Sequence, residues 1–153
     1  MQGVYINLEH AHLRRELINK QINDSNLLFS IDRFAAFYGK DHPGKPLRLS
    51  DGQWGCWLSH LNVIKNSIDH QMNLLVLEDD EYFDSYLNNS FALIESIKNN
   101  PWDIIFLDAT IVEIEDYLFL LRKLDEIMSS HGHSMALHLD KNRTLYGTHS
   151  YIV

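Results

Sequence analysis

The amino-acid sequence predicts a single domain of the α/β class, in which strands and helices alternate along the chain. Residues 3–8 form a short β-rich run, and apolar residues at helical spacing follow it. A continuous apolar run at 74–77 has the length and composition of a strand buried on both faces. No repeat, linker or low-complexity tract divides the 153 residues. One domain spanning residues 1–153 is therefore the simplest organisation.

The first half of the chain predicts a βα unit, a second strand, a long loop and a helix. Apolar residues recur every three or four positions over residues 11–24, which predicts the first helix. Residues 27–37 are β-rich, and the glycines and prolines of residues 38–49 exclude regular structure there. Ser50 and Gln53 have the spacing of a capping box, so we expect the best-defined helix to begin at this point.

The second half continues the alternation of strands and helices. We predict a strand at 74–77, a helix at 83–100 that ends before a proline, a strand at 102–107, a helix at about 113–129 and a β stretch at 148–153. The polar segment 131–146 carries no assignment.

The charge is distributed unevenly along the chain. Thirteen Lys and Arg residues against 21 Asp and Glu residues give a formal net charge of -8. Residues 1–50 hold seven basic and five acidic residues, whereas residues 51–153 hold six and sixteen. This balance argues against a nucleic acid as partner, because its phosphates attract basic surfaces. An anionic ligand would need the first third of the chain or a metal.

Composition also predicts the compartment. No apolar run approaches the roughly 18 residues that span a bilayer, and the first residues lack the layout of a signal peptide. We therefore expect a cytoplasmic protein. The lone Cys56 is expected to be a buried small hydrophobe, and no zinc-type spacing emerges among the cysteine and the nine histidines. The apolar residues 117–121 either pack on the core or form an amphipathic face for peripheral membrane contact.

Four acidic residues, Glu78, Asp79, Asp80 and Glu81, directly follow the apolar strand. Carboxylates at this density repel one another unless a cation lies among them, and a hard divalent metal accepts such oxygen ligands. The carboxyl end of a central strand is also where α/β sheets bind ligands. Two interpretations stay open: a metal-dependent ligand site, or a solvated loop that caps the next helix through Asp84.

Two further groups of residues have chemistry suited to a phosphate-containing ligand. Residues 52–60 place two glycines and two tryptophans in the first turns of a helix, where backbone N–H groups can meet a phosphate. Ser59 and His60 are adjacent and point apart on a helix, so they form no nucleophile–base pair. His60 is either a structural histidine or a ligand-binding one. Arg14 and Arg15 either pair with phosphate or form solvated surface.

Taken in order, several sequence blocks resemble glycosyltransferase family 25, which includes bacterial lipopolysaccharide and lipooligosaccharide galactosyltransferases and collagen galactosyltransferases. The blocks are 4–8 with Arg14 and Arg15, 34–36 with Gly39, 49–60, 77–80, 102–107 and 147–153. The most specific are Gly-Cys-Trp-Leu-Ser-His at 55–60 and Leu-Glu-Asp-Asp at 77–80.

The resemblance implies a nucleotide-diphosphosugar transferase fold of the GT-A type: a three-layer α/β/α arrangement around a mostly parallel sheet. Members of the family continue well beyond the strand at which this sequence stops, so we expect a C-terminally truncated form. The resemblance also implies an inverting enzyme that moves a hexose, usually galactose, from a UDP-sugar to a lipopolysaccharide or lipooligosaccharide glycan. Such an acceptor is lipid-linked, which places the enzyme at the inner face of the membrane.

The same resemblance implies roles for individual residues. Manganese or another divalent cation would be held by Asp80 and Glu78, and it would offset the charge of the departing UDP. Asp80 and Asp108 are the expected catalytic residues, with Asp108 as the base that takes the proton of the attacking hydroxyl. The expected donor-binding residues are Asn7, Leu8, Arg14, Gly55, Ser59, His60 and Asp79. A non-catalytic sugar-nucleotide-binding remnant and an acidic calcium-binding module are the alternative functions.

Overall fold

The computed structural model describes residues 2–70, 73–83, 87–97, 99, 102–107, 114–129 and 150–153. The strands of this part of the chain are β1 (Gln2–Asn7), β2 (Ile31–Ala35), β3 (Leu74–Glu78), β4 (Ile105–Phe106) and β5 (Ser150–Ile152). Its α-helices are α1 (His12–Asp24), α2 (Asp51–His70), α3 (Leu87–Ile97) and α4 (Ile114–Ser129), and a 3-10 turn lies at Gly39–Asp41. The α/β class is confirmed.

The five strands form one mixed sheet in the order β2-β1-β3-β5-β4. β1 runs parallel to both β2 and β3, whereas β5 runs antiparallel to both β3 and β4. Four of the five described strands therefore run in one direction, and β5 is reversed between two of them. The predicted parallel pairing holds among β1, β2 and β3 and fails where β5 pairs with its two neighbours. The β character of residues 148–153 predicts a strand, and this strand is confirmed at Ser150–Ile152. Such a pattern carries no information on strand direction.

Two clusters of apolar side chains cover the two faces of the sheet. The first joins strand residues to α1 and α3, and its buried members are Tyr5, Ile18, Leu75, Leu77, Leu87, Ile94 and Ile152. The second joins strand residues to α2, and its buried members are Ile6, Val63, Leu74, Val76 and Tyr151. Successive strand residues enter opposite clusters because side chains alternate across a strand. Helices α1 and α3 thus lie on one face of the sheet and α2 lies on the other, as the three-layer prediction requires.

The bounds of α1, α2 and α4 agree with local signals in the sequence, whereas α3, β2 and β4 are shorter than predicted. Ser50 Oγ accepts a hydrogen bond from the Gln53 N–H at 3.2 Å, and Gln53 Oε1 accepts one from the Ser50 N–H at 2.9 Å. These reciprocal bonds confirm the capping box at the start of α2. β2 is shorter than the β-rich run 27–37, because it pairs only with Gly3–Asn7 of β1. The predicted helix cap Asp84 and the segment 131–146 lie outside the described residues.

The helix α4 leaves much of its apolar surface in solvent. Tyr117, Leu118 and Leu121 are exposed, whereas Phe119 and Leu120 are partly buried. The interpretation that the apolar side of this helix packs on the core therefore holds for only part of the run 117–121. Within the part of the chain that the structure describes, no helix combines the length and hydropathy needed to cross a bilayer.

Gly55 allows α2 to approach the loop that follows β2. A Cβ atom added at Gly55 would lie 2.5 Å from the carbonyl oxygen of Phe37 and 2.9 Å from the backbone nitrogen of Gly39. Real Cβ atoms do not come so close to backbone atoms, so a larger residue would force the helix and loop apart. Gly52, one turn earlier, has only Ser50 Oγ nearby, at 3.9 Å.

We expect Gly55→Ala to destabilise the protein, whereas Gly52→Ala is its matched control on the same helix. The first substitution overpacks a backbone contact and is expected to lower the free energy of unfolding by about 1–3 kcal/mol. The second meets no close atom and is expected to leave that free energy unchanged or to raise it by up to about 1 kcal/mol. Urea unfolding measures both. Equal stability of the two variants would contradict the close approach.

Candidate functional site

The polar residues of the candidate site lie at the carboxyl ends of β1 and β3. These strands are adjacent and parallel, and Ile6 is paired with Glu78 in their register. Asn7 therefore emerges beside the acidic residues that end β3. Because side chains alternate across a strand, Glu78 and Asp79 enter different surroundings although they are neighbours in sequence.

Asn7 is the centre of a buried hydrogen-bond network. It is 1% exposed, and its Nδ2 donates to Asp79 Oδ2 at 2.6 Å and to the Ala11 carbonyl oxygen at 3.2 Å. Its Oδ1 accepts from Nε of Arg15 and from Nε of Arg33, each at 3.0 Å. An amide offers two donors and two acceptor positions, and all four are used. Asn7 therefore positions its neighbours.

Arg14 joins the two acidic residues that follow Glu78. Its Nη1 lies 2.9 Å from Asp79 Oδ1 and 3.5 Å from Asp80 Oδ2. The pKa of Asp79 is raised above its usual value, chiefly by burial and further by the nearby charges of Asp80 and Glu78. The hydrogen bond from Asn7 and the charge of Arg14 lower this pKa but do not cancel the rise. The side chains of Arg14 and Asp80 are 44% and 50% exposed, so both are accessible to a ligand.

Arg33 and Glu9 also belong to this region, although sequence reasoning did not single them out. Arg33 Nη2 donates to the Asn7 carbonyl oxygen at 3.1 Å and to Glu9 Oε2 at 2.8 Å. Arg33, and to a lesser extent Arg15, lower the pKa of Glu9 by hydrogen bonding and by charge. Three arginines thus gather near the end of β1, and Arg33 is brought there only by the pairing of β1 with β2.

Glu78 belongs to a second group of polar side chains, on the α2 side of the sheet. Its Oε1 lies 3.2 Å from His60 Nε2, and His60 Nδ1 lies 2.8 Å from the hydroxyl of Tyr151. Cys56 precedes His60 by one helical turn and is exposed, so the expectation that it is a buried hydrophobe is wrong. Cys56 and His60 share one side of α2, where His60 contacts the sheet and Cys56 stays accessible to solvent.

The pKa of His60 reflects this environment. Burial lowers the pKa of His60, but the contacts with Cys56 and Glu78 raise it by more. The net effect is a rise of the pKa from 6.5 to about 9. Burial also raises the pKa of Tyr151. His60 is thus a histidine held between a carboxylate and a hydroxyl, and its bonds go to side chains from two strands instead of to backbone groups.

Three other predicted donor-binding residues have structural contacts in the fold. Ser59 is fully buried, its hydroxyl donates to the Gly55 carbonyl oxygen at 2.7 Å, and it accepts from the Phe37 N–H at 2.9 Å. Gly55 contacts the same loop. Leu8 is half-buried, and its carbonyl oxygen accepts from the Ala11 N–H at 3.0 Å. Ser59 and Gly55 therefore fix the loop after β2 against α2.

The predicted site residues are thus brought together in part. Asn7, Arg14, Asp79 and Asp80 form one connected group, and His60 and Glu78 form another. Asp108, the predicted base, lies outside the described residues. No local pattern in the sequence could indicate that Tyr151 contacts His60, because 91 residues separate the two. The spacing of Cys56 and His60, four residues apart on one helix, was visible but was not interpreted as a ligand pair.

Glu78, Asp79 and Asp80 offer the oxygen ligands that a hard divalent cation prefers. They differ in how accessible these oxygens are. Asp79 is 7% exposed and both of its oxygens are engaged, one by Asn7 and one by Arg14. Glu78 is directed to His60. Asp80 is the most exposed of the three, and its oxygen lies at the end of β3 where a ligand can approach. Asp80 is therefore the carboxylate best placed to meet a cation at this edge of the sheet.

The fold and comparison with known proteins both point to a glycosyltransferase. The arrangement of an α/β sheet with acidic residues at a central strand end is consistent with a glycosyltransferase domain, and the family model "Glycosyltransferase family 25 (LPS biosynthesis protein)" matches residues 1–153. The chain belongs to glycosyltransferase family 25.

Similar curated proteins carry related names. The chain is 26% identical over 133 residues to procollagen galactosyltransferase 1-B of Xenopus laevis. This match covers 72% of the present chain and 21% of the Xenopus protein. It is 28% identical over 100 residues to a glycosyltransferase 25 family member of Anopheles gambiae, covering 63% of this chain and 17% of that protein. The matches thus span about a fifth of the length of these relatives.

We expect Asn7→Ala to destabilise the protein through the network that Asn7 holds. The substitution removes a hydrogen bond to the buried carboxylate of Asp79 and leaves two arginines without their shared acceptor, so the free energy of unfolding is expected to fall by about 2–3 kcal/mol. Asn19→Ala, at an exposed position of α1, is the matched control and should change that free energy by less than about 0.5 kcal/mol. Similar losses in both variants, measured by urea unfolding, would argue against the network.

Proposed function

We propose that the chain is the donor-binding part of an inverting glycosyltransferase that moves galactose, or a related hexose, from a UDP-sugar to a glycan. The observation that carries the proposal is the group formed by Arg14, Asp79 and Asp80 at the carboxyl ends of two adjacent parallel strands. Open α/β sheets bind their ligands at this edge. Family membership supports the same conclusion.

The charges of this group suit the diphosphate of a nucleotide sugar. Arg14 is half-exposed and can pair with phosphate oxygens, since a guanidinium matches them in geometry. Arg15 and Arg33 lie nearby, where both pair with the exposed Glu9 and Asn7 fixes the orientation of both. An overall acidic chain therefore still presents local basic groups where an anionic donor would bind. This agrees with the positive balance of residues 1–50.

We further propose that a divalent cation, manganese or one of similar size, meets the donor at Asp80. When bound, such a cation offsets the negative charge that develops on the leaving diphosphate. The resemblance to the family implied Asp80 and Glu78 as ligands. Because Glu78 is directed to His60 whereas Asp80 is half-exposed at the end of β3, we assign the donor's cation to Asp80. Asp79 supports this arrangement by holding Arg14 in place.

The acceptor and the base complete the proposal. Inversion needs a base that takes the proton of the attacking hydroxyl, and Asp108 stays our predicted base. The family description names lipopolysaccharide biosynthesis, which supports a lipid-linked glycan as acceptor. The exposed apolar residues Tyr117, Leu118 and Leu121 of α4 suit peripheral contact with the inner face of the membrane, where such an acceptor would lie.

Asp80→Asn tests the proposed donor site directly. We expect wild-type protein to bind UDP in the presence of manganese, and the variant to bind it at least about tenfold more weakly, because one charged ligand of the cation is lost. Stability should be unaffected, since Asp80 is half-exposed. Asp24→Asn, at an exposed position at the end of α1, is the matched control and should bind UDP like the wild type. Isothermal calorimetry with and without manganese measures each affinity.

Several outcomes would contradict the proposal. Absence of UDP binding under either condition would exclude the donor site, and equal UDP affinity in Asp80→Asn and wild type would exclude the role of Asp80. Stabilisation by calcium that exceeds stabilisation by manganese, with no effect of UDP, would favour a calcium-binding module instead. One outcome would instead support the proposal: transfer or hydrolysis of UDP-galactose that disappears in Asp80→Asn would exclude a non-catalytic remnant.

A further inference from the structure

The second polar group contains three different types of metal ligand. Cys56 and His60 lie four residues apart on α2 and therefore share one face of the helix. Glu78 reaches the same point from the end of β3. The sulfur of Cys56, a ring nitrogen of His60 and a carboxylate oxygen of Glu78 all lie within 4.8 Å of one another. Nothing in the proposed donor chemistry requires a thiol beside this histidine and carboxylate.

The distances suit a tetrahedral ion. A ligand bond of about 2.0–2.2 Å to nitrogen or oxygen places two ligand atoms of a tetrahedron about 3.3–3.6 Å apart. His60 Nε2 and Glu78 Oε1 are 3.2 Å apart, which is close to that separation. A bond of about 2.3 Å to sulfur places the sulfur about 3.5–3.7 Å from the other two ligand atoms of a tetrahedron. The three atoms already lie within 4.8 Å of one another, so side-chain movements of about 1 Å would bring them to these separations.

The surroundings of His60 match those of a metal-binding histidine. Such a histidine usually bonds through its second nitrogen to a group that fixes the orientation of the ring. His60 Nδ1 lies 2.8 Å from the hydroxyl of Tyr151, and Tyr151 is itself 3% exposed. The ring is therefore held with Nε2 directed at Glu78. Cys56 is exposed, so an ion can reach the group from solvent.

The choice of metal follows from the ligand types. A thiolate, an imidazole and a carboxylate form a mixed set that suits zinc, whereas calcium, magnesium and manganese prefer oxygen ligands alone. We propose that Cys56, His60 and Glu78 bind a zinc ion, at a site separate from the cation that we assign to Asp80. Three protein ligands leave a fourth position for water or another ligand. The ion would link α2 to the end of β3.

Zinc and cobalt binding to the full chain tests this site without any measurement of activity. Chelator-treated protein is titrated with zinc in a calorimeter, and in a second experiment with cobalt, whose thiolate complexes show a charge-transfer absorption band. We expect a tight zinc site in the wild type, at least tenfold weaker zinc binding in Cys56→Ser, and a thiolate band that this variant lacks. Because Cys56 is exposed, the variant is expected to fold normally.

Two further variants separate the proposed ligands from other histidines and carboxylates. Glu78→Gln is expected to weaken zinc binding but to keep the thiolate band, since Cys56 and His60 remain. His12→Ala, at an exposed position of α1, is the matched control and should bind zinc like the wild type. Equal zinc affinity in Cys56→Ser and wild type, a cobalt complex without a thiolate band, or no zinc binding by the wild type would each overturn the proposal. None of these results depends on UDP binding.

Discussion

The hydrogen bond between Asn7 and Asp79 joins the ends of β1 and β3, and the arrangement of the other site residues depends on it. Its atoms are 2.6 Å apart and both residues are buried. A buried carboxylate is costly unless it is bonded and paired. Asn7 and Arg14 satisfy that requirement here, one through each oxygen of Asp79. The pairing of two parallel strands thereby fixes a charged group at the edge of the sheet.

The alternation of side chains along β3 explains why one acidic run serves two surroundings. Leu75 and Leu77 enter the core on the α1 and α3 side, whereas Leu74 and Val76 enter the core on the α2 side. Glu78 continues this alternation toward α2 and contacts His60. Asp79 lies with Asn7 and Arg14 on the other side. Glu78 and Asp79 therefore have different partners although they are neighbours in sequence. In our proposals Glu78 and Asp80 bind different cations.

Local patterns in the sequence predicted the elements that local physics determines. The apolar run at 74–77 predicted β3, and the Ser50 and Gln53 spacing predicted the start of α2, because burial and capping are properties of neighbouring residues. The placement of the acidic residues at the carboxyl end of β3 followed from the same run. Asn7 and Asp79 lie side by side because β1 and β3 are parallel neighbours. Such pairing is common in chains that alternate strands and helices.

Long-range pairing produced what the sequence could not predict. Arg33 reaches Asn7 because β2 pairs with β1, and Tyr151 reaches His60 because β5 inserts antiparallel beside β3. The direction of a short buried strand leaves no mark on its composition. Cys56 was assigned to the core from its apolar neighbours, but it is exposed. Its position beside His60 and Glu78 depends on how α2 packs on the sheet, which the local sequence does not record.

The central claim is that the ends of β1 and β3 form the donor site, and broadening of backbone amide signals by manganese tests it most directly. Manganese is paramagnetic and broadens the nuclear magnetic resonance signals of residues near it. The spectrum of the full chain with UDP and substoichiometric manganese should lose intensity first at Asp80 and Arg14 and their neighbours. Signals at the opposite ends of the same strands, at Gly3 and Leu74, should persist longest. Loss of intensity centred on those ends, or spread evenly over the chain, would contradict the assignment of the donor site to this edge of the sheet.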